Sequence, residues 1–168
     1  YVPFLITHAD RFLESQVAAQ KIRAQLLQGC AGPLLLTVAR LEPEKNLELS
    51  LRSFAEALKR FPGAVFAIVG DGGCRRGLDT LAQEIGEGRV RFLGRVANVD
   101  IPAFYQAADL TLLSSTRESA ARILFESLLA GTPVLTTNTA GADDVIQNEQ
   151  TGKVVAVGDD AAFAKALL

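Results

Sequence analysis

Histidine occurs once in the 168 residues, at position 8, and cysteine twice, at positions 30 and 74. A single histidine cannot build a His-based zinc site or a Ser-His-Asp triad from within the chain. Cys30 and Cys74 have neither redox nor metal-ligand spacing and read as two free thiols in a reducing cytosol. Basic charge is also not in excess: 17 Lys and Arg against 19 Asp and Glu leave a formal net charge of −2. That balance offers no field for nucleic acid and disfavours that partner class. No apolar run approaches the length of a membrane span, and the first residues do not follow a signal-peptide pattern. Repeats and low-complexity tracts are absent too. The chain opens on Tyr1 rather than Met, in the middle of the phrase YVPFLITHADRF, and is expected to be a piece of a longer protein.

The chain has the composition and length of one globular domain with a real core, 49% apolar and 21% charged. Leu34–Val38 (LLLTV) is a short apolar run without alternation, as a parallel strand buried on both faces requires. Leu47–Arg60 carries Leu47, Leu51, Phe54 and Leu58 at helical spacing and stops at Pro62-Gly63. Val65–Val69 reads as a second strand, 78–85 as helix, 90–93 as a third strand and Ile101–Ala107 as a short helix. Leu110–Leu113 is expected as the fourth strand, 119–130 as helix and 133–136 as the fifth strand. One helical turn over 144–148, a sixth strand at 154–156 and a final helix over 160–168 complete the series. Residues 9–28 have helical character without a strand partner, and 29–32 read as a linker. The segment 1–32 is therefore set apart as a linker-like stretch from 33–168, which is expected to be a Rossmann-like, doubly wound α/β domain with a parallel sheet. Such sheets bind ligands at the carboxyl ends of their strands, which directs attention to the loops at 39–46, 70–74, 94–99, 114–118 and 137–143.

Two of those loops carry charges that need an explanation. Arg40 and Lys45 flank LEPE after the first strand, and Lys45 lies close to a helix start, where a cation opposes the helix dipole. A bound diphosphate would account for both, with Arg40 able to make a bidentate contact. The plain alternative pairs them with Glu42 and Glu44 on a solvated loop. Further on, Glu118 and Glu126 belong to one helical pattern. With the helix starting near Ser119, they stand roughly 12 Å apart along the axis and about 80° around it. They cannot share a proton or a metal, but they could hold the two ends of a long ligand whose anionic middle rests on the helix N-terminus. A nucleotide-sugar has that shape. The plain alternatives are an acidic helix cap for Glu118 and an i,i+4 pair with Arg122 for Glu126.

Gly70-Asp71-Gly72-Gly73 lacks the G-x-G-x-x-G spacing of a dinucleotide fingerprint and reads as a tight turn. Gly94, which ends the third strand before Arg95 and Val96, could let backbone approach a base or ribose, or simply end the strand. Phe104 and Tyr105 read as core contacts of a short helix.

Taken in order, VARLEPEKN, AIVGDGG, RVRFLGRV, FYQAADLTLLSS, ESAARILFE and AGTPVLTTNTAGADDVIQNEQTGKVV resemble the C-terminal domain of the family 4 (group 1) retaining glycosyltransferases of GT-B architecture. YVPFLITHADRF is similar to that family's interdomain entry. The resemblance implies a nucleotide-diphosphate sugar as donor substrate, no cofactor and no metal. It places Arg40 and Lys45 on the donor diphosphate, Glu118 on the hydroxyls of the transferred sugar and Glu126 on the ribose. Gly94, Arg95 and Val96 would lie against the base, and Ser119, Ala120 and Ala121 would line the donor site. Arg40, Lys45 and Glu118 would be the catalytic set of a hexosyltransferase-like enzyme. The acceptor, whether glycan, lipid-linked or small molecule, would sit on an N-terminal domain outside this chain, so the segment alone is expected to bind donor without transferring it. The implied enzyme is cytoplasmic, with peripheral membrane contact common in the family. Ser119-Ala120-Ala121 replaces the family's usual Gly-Phe-Gly, Phe4 replaces an asparagine, and Ala140 stands where glycine is common. Those departures raise two alternatives, a degenerate nucleotide-sugar-binding scaffold and a GT-B sugar-nucleotide epimerase.

Overall fold

Residues that alternate between short apolar runs and amphipathic stretches fold here into a sheet with a helical layer on each side. The computed structural model describes residues 15–86, 88–118, 122–139, 141–146 and 149–168. The strands are β1 (Leu34–Val38), β2 (Val65–Val69), β3 (Val90–Gly94), β4 (Leu110–Leu113), β5 (Val134–Thr137) and β6 (Gly152–Val155). The helices are α1 (Gln16–Leu27), α2 (Leu47–Arg60), α3 (Arg75–Ile85), α4 (Ile101–Ala107), α5 (Arg122–Leu129), α6 (Ala142–Val145) and α7 (Asp160–Ala166). A single 3₁₀ turn, Pro43–Lys45, precedes α2.

All five strand pairings are parallel, in the order β3-β2-β1-β4-β5-β6. The winding reverses between β1 and β4, which pair directly through Leu35 with Leu110 and Leu36 with Thr111. The loops leaving these two strands diverge to opposite layers and leave a crevice, which is where open α/β sheets hold ligands.

Strand alternation divides the core. Leu35, Phe66, Ile68 and Leu112 face the layer containing Leu51 and Phe54 of α2 and Phe163 of α7. The Phe54 and Phe66 rings tilt against each other at 5.5 Å. Leu34, Leu36, Val65, Ala67 and Val69 face the other layer, with Ala19 and Leu26 of α1 and Ile101 and Tyr105 of α4. The described part of the 1–32 segment is thus laid on the sheet. Its Arg23 donates to the Ala107 carbonyl at 2.7 Å and to Asp109 Oδ2 at 2.8 Å, and Asp109 in turn accepts from the Leu34 amide.

The bounds of β1, α2, β2, α4 and β4 are those expected from the sequence. Others differ for local reasons. Helix α3 begins at Arg75, three residues early, because the Arg75 guanidinium packs 4.4 Å over the Phe92 ring and pairs with Asp79. Strand β3 extends to Gly94. Strand β5 begins after Pro133, whose carbonyl accepts from Thr111 but which has no N–H to donate. Strand β6 is found at Gly152–Val155 rather than 154–156, with Gly152 paired to Val134. The single turn of α6 starts earlier than 144, and α7 ends at Ala166. The expected helix over 119–130 is described from Arg122; Ser119, Ala120, Ala121 and Ala140 lie outside the described residues.

Candidate functional site

The loop after β1 is built against the loop after β2. The Ala39 amide donates to the Val69 carbonyl, the Leu41 amide to Asp71 and the Cys74 amide to Leu41. Gly70 makes this approach possible: its φ is +132°, and a Cβ there would lie 1.8 Å from the Ala39 carbonyl oxygen. The Gly70–Gly73 stretch is therefore a turn, as its spacing suggested, and its work is to seat the 39–46 loop. The Gly70 amide also donates to the carbonyl of Gly94, joining the ends of β2 and β3 at 2.7 Å.

From its other side the same loop is fastened to the end of β4. Ser114, 1% exposed, accepts from Ser50 Oγ and directs its own proton to the carbonyls of Lys45 and Asn46. The Thr116 amide donates to the Glu44 carbonyl at 2.8 Å. These bonds bring together two side chains that are 73 positions apart. Lys45 Nζ meets Glu118 Oε1 at 2.5 Å, with the two side chains only 12% and 18% exposed. Ser115 Oγ donates to the same carboxylate oxygen at 2.8 Å. Lys45 therefore pairs with Glu118 across the switch point, not with Glu42 or Glu44.

Arg40 is placed differently. Its guanidinium is 74% exposed and reaches Glu44 Oε1 at 3.4 Å, the solvated-loop pairing weighed for it from sequence. Nothing fixes it in that position, since an exposed pair of this length contributes less than about 1 kcal/mol.

Glu126 lies in the second turn of α5 and is only 8% exposed. Arg122 Nε donates to its Oε1 at 2.5 Å, so the i,i+4 pair exists, but on a face where the carboxylate is buried and only Arg122 is exposed. The other oxygen, Oε2, accepts from the Tyr105 hydroxyl at 3.2 Å. Tyr105 is wholly buried, as a core residue should be, and its hydroxyl is turned to Glu126, a contact that no local pattern signals. Burial, and then the neighbouring Glu126 charge, push the phenol well above its ordinary pKa, while the hydrogen bond to Glu126, and then that carboxylate's charge, raise the Arg122 guanidinium. At neutral pH Tyr105 is a fixed O–H donor. The third region, Gly94, Arg95 and Val96, follows β3: Gly94 has φ +68° with open space where a Cβ would be, Arg95 is exposed and Val96 packs on the α1–α4 core. Among the described residues no group of three or more His, Cys, Asp or Glu could hold a metal ion.

Six parallel strands with a helical layer on each face make a Rossmann-like, doubly wound α/β domain, with Lys45 and Glu118 paired at its switch point. The chain belongs to the Glycosyl transferases group 1 family, whose model matches residues 19–168. It is 32% identical over 146 residues to the lipopolysaccharide core biosynthesis glycosyltransferase LpsE of Rhizobium meliloti, covering 86% of this chain and 41% of that protein. It is 29% identical over 154 residues to a GDP-mannose-dependent phosphatidylinositol monomannoside mannosyltransferase of Mycobacterium tuberculosis, covering 87% of this chain and 40% of that protein. Among solved structures it resembles Anabaena HepE in complex with UDP-glucose, with TM-score 0.82 and 26% identity over 95% of this chain and 44% of the other. WaaG, a glycosyltransferase involved in lipopolysaccharide biosynthesis, aligns with TM-score 0.79 and 26% identity over 98% of this chain and 45% of its own. The fold is thus the Rossmann-like domain found in GT-B glycosyltransferases, and the chain spans less than half the length of these relatives.

Proposed function

We propose that this chain is the donor-binding half of a metal-independent, retaining glycosyltransferase that uses a nucleotide-diphosphate sugar. The observation that carries the reading is the Lys45–Glu118 pair, held nearly buried where β1 and β4 diverge. Lys45 then neutralises charge developing on the departing diphosphate, and Arg40, freed from Glu44, swings in as a second cation. Glu118 accepts hydrogen bonds from hydroxyls of the transferred sugar, and Glu126 does so from the ribose. The base lies against Gly94, Arg95 and Val96. In this reading no protein group is needed as nucleophile or cofactor. The acceptor is held by protein outside this chain, which leaves the isolated chain able to bind but not to transfer. No helix among the described residues is long and apolar enough to cross a membrane, and both cysteines are free. The proposed enzyme is cytoplasmic, with membrane contact, where it occurs, peripheral.

Donor cleavage tests this directly. The full-length protein, given UDP-glucose or GDP-mannose with water as acceptor, is expected to release sugar in EDTA as fast as in magnesium. The first-formed anomer, read by NMR, is expected to match that of the donor. Strict dependence on added metal, or release of the opposite anomer, would contradict the mechanism.

A further inference from the structure

Tyr105 has a hydroxyl that its surroundings do not require. A phenylalanine would fill the same fully buried space, and burying an O–H is costly unless it is hydrogen-bonded. The partner it finds is Glu126 Oε2, while Arg122 Nε takes Oε1. An ionised carboxylate has about four lone-pair sites on its two oxygens, and these two bonds take one site on each. The second site on each oxygen suits one of the two O–H donors of a cis-vicinal diol. The frame behind this arrangement is itself fixed by buried bonds. Thr111 and Ser127 share a hydrogen bond at 2.8 Å, Ser127 donates to the Thr132 carbonyl, and Thr132 Oγ1 donates to the carbonyl of Tyr105 at 2.7 Å. That relay runs from β4 through α5 to α4 and ties the Tyr105 backbone to the helix that carries Glu126.

We infer that Tyr105 and Arg122 are positioning residues that orient the Glu126 carboxylate for the vicinal diol of a ribose, an inference that rests on the nucleotide-sugar reading above. They touch no reacting atom. Their contribution is to hold both carboxylate oxygens in the plane in which two hydroxyls are bonded at once, so each ribose hydroxyl counts fully towards affinity.

The test is a ratio of affinities, which a merely structural role would leave alone. The chain is titrated with UDP and 3′-deoxy-UDP, and with the corresponding guanosine pair, as wild type, Tyr105→Phe and Arg122→Ala. In the wild type, loss of one hydroxyl bonded to a carboxylate is expected to weaken binding by about tenfold or more. In each variant the same ratio is expected to fall to about threefold or less, with the affinity for the 3′-deoxy form little changed. A ratio that stays at its wild-type value in either folded variant overturns the inference while leaving the donor site standing; Arg122, exposed at the surface, decides it alone if Tyr105→Phe does not fold. Binding with no preference for the intact ribose removes the diol from Glu126, and the inference with it. Failure of UDP, GDP and ADP alike to bind the full-length protein overturns the nucleotide-sugar reading itself.

Discussion

Replacing Lys45 with methionine is expected to slow donor cleavage by the full-length protein about 10²–10³-fold, the usual loss when one preorganised group facing developing charge is removed. The magnitude follows from where Lys45 sits. Its side chain is 12% exposed, so solvent screens it little, and its position is set by a loop bonded on both sides. Methionine keeps the stem and removes the charge. Glu118 is then left with Ser115 among the described residues, and in the proposed reading its hold on the sugar is expected to loosen as well. Arg40→Ala is the internal comparison. Arg40 is 74% exposed and weakly paired, so its loss is expected to cost about tenfold or less. Steady-state kcat for cleavage of UDP-glucose or GDP-mannose, whichever is turned over, checks both. Equal effects at the two positions, or none at Lys45, would remove the switch-point pair from the mechanism.

Gly70→Ala is expected to destabilise the domain by about 3 kcal/mol, through backbone strain and a steric clash that cannot be relieved locally. At this chain length that lowers the melting temperature by roughly 6–12 °C. The added Cβ would meet the Ala39 carbonyl oxygen at 1.8 Å, with φ at +132°. Relief requires the 39–46 loop to move away, which breaks the Ala39–Val69 bond and displaces Arg40 and Lys45 with it. Stability and donor affinity should therefore fall together. Gly73→Ala is the control three residues on, since its Cβ would meet nothing nearer than Glu42 Oε2 at 3.6 Å. Thermal unfolding of the two variants separates them, and a Gly70→Ala protein that melts with the wild type would show that the two loops are not rigidly joined.

Elements whose bounds could be read from the sequence are those with continuous apolar runs and clear stops. LLLTV and VFAIV form strands buried almost throughout, and the α2 pattern ends where Pro62 forbids continuation. Strand β6 was harder because it starts on Gly152 and Lys153, residues with no apolar signature, and is a strand because β5 offers it a ladder. Helix α3 starts early through a cation–π contact with β3, an element 17 residues further along. The same distinction governs the site. Arg40, Lys45, Glu118 and Glu126 were each visible as charges beside strand ends, but their partners depend on topology. Local sequence offered Glu42 and Glu44 to Lys45; the β1–β4 pairing supplied Glu118 instead. Tyr105 reads correctly as core from its spacing, because the hydroxyl contact with Glu126 is made between two helices whose approach no local pattern encodes.

The most direct measurement of the central claim is a calorimetric titration of this chain with UDP, GDP and ADP, each beside a matching sugar nucleotide. The same titrations are made on Lys45→Met and Glu126→Ala. Saturable binding of one nucleotide, weakened in both variants, is the expected result, with Glu126→Ala losing about 1–3 kcal/mol through the ribose. Nucleotide binding that neither variant alters would contradict a donor site between β1 and β4.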